Sequence, residues 1–125
     1  MGRSNKSQGT RQRVFYKYDE QEFNKHRCTA YFNNKVRNYK KQDNEAKREI
    51  SMDNYVNADW FYENMKNRCG ECGNGFFYTV CNGNAFTNLT AQRKDNNLDH
   101  CLNNISPYCI HCSCQYYIIL HGRYR

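Results

Sequence analysis

The clearest periodic pattern of apolar residues lies in residues 51–69. Four of them recur at intervals of three and four, which is the spacing of one helical face: Tyr55, Ala58, Tyr62 and Met65. Ser51 is a suitable N-cap, and an acidic residue in the first turn suits the positive end of the helix dipole. The pattern predicts a helix over residues 51–68 that packs against a core and leads directly into the first cysteine pair.

Strand-like patterns follow this helix. Residues 76–81 and 86–92 are rich in apolar and aromatic residues and predict two strands, and the Asn-Gly-Asn between them is typical of a tight turn. Residues 95–103 are polar and predict a loop, and residues 104–108 predict a short return strand. Ser113 is a candidate N-cap for a last helix. This order of elements predicts an α+β fold.

The first 50 residues have a weaker pattern. Residues 1–13 are polar and basic without periodicity, which predicts a disordered segment. The aromatic residues that follow allow a short helix over residues 20–27. Residues 33–50 are strongly charged, and they predict either a linker or a solvent-facing helix with Asp43 and Lys47 as a favourable surface pair.

The net charge of +7 belongs entirely to this first part of the chain. Residues 1–50 contain 13 Lys or Arg and 6 Asp or Glu, whereas residues 51–125 contain 6 of each kind. A basic arm beside a compact module is typical of proteins that bind a polyanion, most simply nucleic acid, with DNA as the first candidate. The alternative is a solvated basic tail that has no specific partner.

The chain matches neither the pattern of a secretory signal nor that of a membrane span. The first residues lack the apolar stretch of a secretory signal, and the apolar run at residues 116–120 is far too short to span a bilayer. The sequence therefore favours an intracellular location, including the nucleus, with no membrane partner and with reduced thiols.

Seven of the eight cysteines lie between Cys69 and Cys114. Two Cys-x-x-Cys pairs, Cys69/Cys72 and Cys109/Cys112, are separated by 36 residues, and two such knuckles can form a closed tetrahedral zinc site. Disulfide bonds are the alternative use of these thiols. A second metal site is also conceivable from the other residues of this region: Cys81, Cys101, Cys114, His100 and His111.

Polar residues between the two pairs suit metal-dependent hydrolysis of a phosphodiester. This chemistry needs a bound divalent cation and a base that activates water. The candidate side chains are Gln92, Arg93, Asp95, Asn96, Asp99, His100 and Asn104. Asp99 and His100 are adjacent and could face one site, although two solvated loop residues are the alternative. Arg93 lies at a strand end, where it could contact phosphate.

These residues resemble the zinc-bearing branch of the HNH, or His-Me finger, endonucleases. The similarity covers about residues 51–118 and consists of a Cys-x-x-Cys knuckle followed by Arg93, Asp95, Asn96, His100, Asn104, Cys109 and Cys112 in family order. It implies a ββα-metal or treble-clef module over residues 51–125, preceded by a basic, partly disordered arm over residues 1–50. It also implies a structural Zn²⁺ held by Cys69, Cys72, Cys109 and Cys112, and Mg²⁺ or Mn²⁺ as the catalytic cation.

The resemblance assigns roles as well as a fold. Asn104 would brace the catalytic loop, Arg93 would stabilise the phosphate, and His100 or a loop neighbour would serve as the base. Three positions depart from the family pattern: Gln92 replaces an acidic metal ligand, Ser113 replaces Asn or His, and Asp99 replaces the glycine before the histidine. Neutral side chains are poor ligands for Mg²⁺.

Three functions are therefore open at this point. The first is an HNH-like endonuclease that hydrolyses DNA with a degenerate metal site. The second is a catalytically inactive zinc module that binds nucleic acid through its basic arm. The third is an interaction domain stapled by disulfides instead of zinc.

Overall fold

The computed structural model describes residues 14–114. The described chain is mixed α and β, as predicted, and contains two small antiparallel sheets. Its elements in order are β1 (Tyr16–Lys17), α1 (Glu20–Phe23), α2 (Thr29–Glu45), α3 (Ala58–Asn64), β2 (Phe77–Cys81), β3 (Asn84–Thr87), β4 (Leu89–Arg93), β5 (Ile105–Cys109) and a helical segment at residues 110–114. None of the helices within residues 14–114 is long and apolar enough to cross a membrane.

Strands β1, β2 and β3 form the first sheet, with β2 in the centre. Cys81 pairs with Asn84, so Asn82 and Gly83 form a two-residue turn. Both turn residues have positive φ angles, 53° and 80°, which is the backbone of the tightest hairpin turns and is easiest for glycine and asparagine. The turn predicted from the Asn-Gly-Asn sequence is therefore confirmed.

The predicted strand at residues 86–92 is in fact two strands, which meet at Asn88. β3 belongs to the first sheet, whereas β4 pairs with β5 to form the second. The side-chain oxygen of Asn88 accepts the Phe77 N–H at 3.0 Å, and the backbone carbonyl of Asn88 accepts the Ile110 N–H at 2.8 Å. Asn88 thus fixes the corner between the sheets and the start of the last helical segment. That segment begins at residue 110, so Ser113 lies inside it and is not its N-cap.

The helix predicted over residues 51–68 is shorter than the pattern indicated. α3 begins at Ala58, and the side chain of Asn57 caps it by accepting the Trp60 N–H at 3.0 Å. Tyr55 is outside the helix and forms an isolated β-bridge with Cys101. Residues Met52–Asn54 form a 3-10 turn, and long-range contacts with the loop before β5 hold Tyr55 in an extended conformation, against its helical spacing.

The hydrophobic core extends across residue 50, where the sequence placed the border between arm and domain. The charged segment that allowed either a helix or a linker forms α2 as far as Glu45. Phe32 of α2 stacks on Phe61 of α3 with ring centroids 4.9 Å apart, and both are fully buried. Residues 16–45 and 51–114 thus share one core. The disorder predicted for residues 1–13 concerns residues outside the described range.

Candidate metal centre

The two Cys-x-x-Cys pairs come together at the start of the last helical segment. The four sulfur atoms lie within 4.8 Å of one another, and those of Cys72 and Cys109 are 4.0 Å apart. Tetrahedral zinc with bonds of about 2.3 Å would place its sulfur ligands about 3.8 Å apart. The tetrad could therefore bind a metal such as zinc. Within residues 14–114 it is the one cluster of three or more side chains with this capacity.

Backbone geometry positions the first knuckle. The Gly70 N–H donates to the Pro107 carbonyl of β5 at 2.8 Å, which joins the knuckle to the strand that ends at Cys109. Gly73 turns the chain with a φ of 77°, and its N–H donates to the Cys69 carbonyl. A residue with a side chain would be strained at this φ, so the glycine closes the knuckle.

Backbone N–H groups also surround the sulfur atoms. The N–H groups of Glu71 and Cys109 donate to the Cys69 sulfur at 3.4 and 3.3 Å. Burial raises the pKa of the Cys69 thiol, but the backbone hydrogen bonds outweigh it and lower the pKa to about 6. Burial and the neighbouring thiols raise the pKa of Cys112. A cluster with one readily formed thiolate favours a cation, which displaces the remaining protons.

The other four cysteines lie apart from the tetrad. Cys28 is buried, Cys101 is half-buried, and Cys81 and Cys114 are exposed; none of the eight forms a disulfide. The described residues do not form the second metal site that the sequence analysis considered with His100 or His111.

Gln92 and Ser113 are brought into contact with each other. The Ser113 hydroxyl donates to the Gln92 side-chain oxygen at 2.8 Å, and this bond joins the end of β4 to the last helical segment. These are the two positions at which the resemblance implies catalytic metal ligands. Each neutral group therefore has the other as its hydrogen-bond partner.

Asn104 connects the two ends of the loop at residues 95–99. Its side-chain oxygen accepts the Asp95 N–H at 2.8 Å, and its amide donates to the carbonyls of Asp95 and Asp99 at 3.1 and 2.9 Å. Asn104 is itself buried. The contacts are those expected of a residue that braces this loop.

His100 and Asp99 are both buried, so the alternative of two solvated loop residues is wrong. They also face different partners. The Asp99 carboxylate accepts the Ser51 N–H at 2.6 Å, whereas His100 contacts Asp43 and stacks on the Tyr39 ring at 4.2 Å. His100 shares no hydrogen bond with Gln92 or Ser113 in residues 14–114, so the structure does not join the candidate base directly to the candidate metal position.

Asp43 is the residue of this region that the sequence analysis misjudged. Instead of forming a surface pair with Lys47, its fully buried carboxylate accepts hydrogen bonds from Arg48, Tyr55 and the His100 ring. The only sequence signal for the burial of Asp43 is its spacing: it follows Tyr39 by four residues and so lies on the same face of α2.

The protonation states of this cluster follow from its burial. Burial alone would raise the pKa of Asp43, but hydrogen bonds from Tyr55 and His100 outweigh it and lower the pKa. Burial lowers the pKa of His100, and the Asp43 carboxylate offsets only part of the change. The stable form is therefore a carboxylate beside a neutral imidazole whose proton is on Nδ1.

Arg93 lies at the end of β4, as predicted, and rests on the braced loop. Its guanidinium donates to the Asn96 carbonyl at 2.8 Å, and the Arg48 guanidinium donates to the same oxygen at 3.3 Å. Two cations therefore converge on one loop carbonyl.

Comparison with known proteins adds no relative: no protein-family model, no curated protein and no solved structure matches this chain.

Proposed function

We propose that this chain is an HNH-like, zinc-stapled module that binds DNA and whose catalytic metal position is degenerate. The observation that carries the proposal is the 2.8 Å hydrogen bond between Ser113 and Gln92. At the two positions that would hold a divalent cation, neutral groups bind each other. Mg²⁺ strongly prefers anionic oxygen ligands. To bind here it would have to break the hydrogen bond between Ser113 and Gln92 and would gain only two neutral ligands, so its affinity should be low.

The order of elements supports the HNH-like part of the proposal. β4 and β5 pair from Leu89↔Cys109 to Arg93↔Ile105, and a helical segment follows at once. This is a ββα arrangement. One cysteine pair on a knuckle and a second at the start of a helical segment support the treble-clef part of the proposal, and four sulfur ligands favour Zn²⁺ over harder cations.

DNA binding is proposed from the distribution of charge. All the excess positive charge belongs to residues 1–50, and residues 1–13 contribute four cations and no acidic residue. Arg93 adds a cation beside the loop at residues 95–99, whereas the charge of Arg48 is paired with Asp43. Contacts of such groups with phosphates release counterions, so affinity falls steeply with salt.

The affinity of full-length, zinc-loaded protein for duplex DNA, measured by fluorescence anisotropy over a series of salt concentrations, tests this part. Replacing the four cations of residues 1–13 with glutamine should reduce the slope of log affinity against log salt by up to about 4. An unchanged slope would contradict the role of this segment. A deletion of residues 1–50 would be a poor test, because it also removes Phe32 and Asp43 from the core.

A working HNH-like endonuclease is the second candidate, and one observation favours it. The hydrogen bond to Asp43 holds the His100 proton on Nδ1, which leaves Nε2 with the lone pair that a general base requires. Mg²⁺ or Mn²⁺ would be its catalytic cation. Metal-dependent nicking of plasmid DNA separates the two candidates.

A further inference from the structure

The outer face of the first sheet carries exposed aromatic residues. Lys17 pairs with Phe77, and Thr79 pairs with Phe86, so alternation along the strands places these side chains on the face opposite buried Tyr78. A groove of about 420 Å³ is lined by Phe77, Thr79 and Phe86 of this face, together with residue 15 before β1 and residue 110 after β5. We call it the aromatic groove; its main apolar residues are Phe15, Phe77, Phe86 and Ile110, which are 64%, 37%, 37% and 53% exposed.

The surroundings of the aromatic groove are basic. None of the lining residues within residues 14–114 is acidic, and the exposed Lys17 lies opposite Phe77 in the strand register. On its other side the Lys35 ammonium lies 5.5 Å from the centre of the Tyr31 ring, which packs edge-to-face against Phe86. The cationic segment at residues 1–13 joins the described chain next to Phe15. The charges beside the aromatic rings thus suit a polyanion.

We propose that the aromatic groove stacks the unpaired bases of single-stranded nucleic acid, while Lys17 and Lys35 contact its phosphates. The inference rests on the proposed nucleic-acid binding. It adds the surface that binds and a preference for single-stranded nucleic acid. Exposed aromatic rings stack on any base, and flanking cations follow the backbone, which is how sequence-tolerant single-strand binding works. A second copy of the chain is disfavoured as occupant, because it would bring its own cations and a net charge of +7.

The test compares two fluorescent probes, an oligothymidylate and a DNA duplex, on the full-length zinc-loaded chain by anisotropy. Phe77→Ala and Phe15→Ala should each weaken binding of the oligothymidylate about tenfold or more, with duplex affinity changed by less than about twofold. Tyr16→Ala is the matched control, because Tyr16 is an exposed aromatic residue of β1 whose pairing with Tyr78 places it on the opposite face of the first sheet. It should leave both affinities unchanged. If Phe77→Ala does not retain zinc or the circular dichroism spectrum of the folded protein, the result for Phe15→Ala is used instead, because Phe15 lies before β1 and outside the sheet.

The outcomes separate this inference from the proposed function. Duplex binding without single-strand binding would overturn the inference and leave the proposed function intact, whereas binding of neither probe would overturn both. Single-strand binding that the groove variants leave unchanged would also overturn the inference. Sedimentation that shows self-association lost in the same variants would assign the groove to a second copy instead.

Discussion

His100 and Asp43 are 57 residues apart in the chain and form a buried pair, with Nδ1 of the imidazole 2.9 Å from the carboxylate. The same carboxylate oxygen accepts the backbone N–H of His100 at 3.1 Å. Helix α2 is thereby fixed to the loop at residues 95–99, which Asn104 braces from the other side. The pair thus links the first part of the chain to the candidate site.

Asp43→Asn should destabilise the protein, because it removes the charge that the half-buried Arg48 guanidinium and the Tyr55 hydroxyl face. Removing one partner of a buried ion pair typically costs about 3 kcal/mol or more. Urea unfolding of zinc-loaded protein measures this loss. Asp53→Asn is the control, since Asp53 is exposed and should change the free energy of unfolding by less than about 0.5 kcal/mol. Equal effects of the two changes would contradict the structural role of Asp43.

Stability should fall as the pH is lowered from 7.5 to 5.5. The pKa of His100 is lowered by burial, so below the ordinary histidine pKa of about 6.5 the unfolded chain binds a proton that the folded chain resists. The pKa of Asp43 is also lowered, so the stability that its carboxylate contributes is fully present above about pH 3.9 and is lost only at more acid pH. Between pH 7.5 and 5.5 His100 therefore contributes to the fall, in addition to the Cys69 thiol, whose pKa is lowered to about 6.

The measurement is the free energy of unfolding at the two pH values for the wild type, His100→Gln and His111→Gln. His100→Gln should reduce the pH dependence below that of the wild type, and His111→Gln, which replaces an exposed imidazole, is the matched control. Metal release also depends on pH, and the comparison between variants cancels that contribution. A pH dependence that His100→Gln leaves intact would contradict this assignment.

Removal of the metal should unfold the module. We expect one zinc ion per chain, and a chelator should abolish the cooperative thermal transition, because the binding energy of a structural zinc is folding energy. Cys72→Ser should strongly reduce the zinc content and lower the unfolding temperature by about 10 °C or more. Cys81→Ser is the matched control, since both cysteines are exposed but only Cys72 belongs to the tetrad. Equal zinc contents in the two variants would contradict the site.

Restoring a charged ligand should create a divalent-cation site. The double change Gln92→Asp and Ser113→Asn replaces the neutral hydrogen-bonded pair with an anionic and an amide oxygen, so Mn²⁺ binding should appear where the wild type has none. Relaxation of water protons by bound Mn²⁺ measures it. Gln42→Asp adds the same charge at an exposed position of α2 and should bind no Mn²⁺. Absence of Mn²⁺ binding in the double variant would contradict this prediction, because it would show that the site lacks more than these two ligands.

Local sequence signals predicted the features whose causes are local. The Asn82-Gly83 turn follows from residues that accept positive φ, and the cysteine spacing indicated the tetrad. The start of α3 at Ala58 and the burial of Asp43 could not be predicted, because both depend on contacts with the loop before β5. The break at Asn88 has the same kind of cause, since that residue bonds to two different elements. Tertiary contacts override local spacing at each of these points.

The nicking of supercoiled plasmid by zinc-loaded, full-length protein with Mg²⁺ or Mn²⁺ tests the central claim most directly. EDTA and Asn104→Ala are the controls, and an anisotropy titration of the same samples reports DNA binding. A degenerate site predicts salt-sensitive binding of the plasmid and no nicking above the EDTA control. Metal-dependent nicking that is lost in Asn104→Ala would contradict it and would establish a working endonuclease.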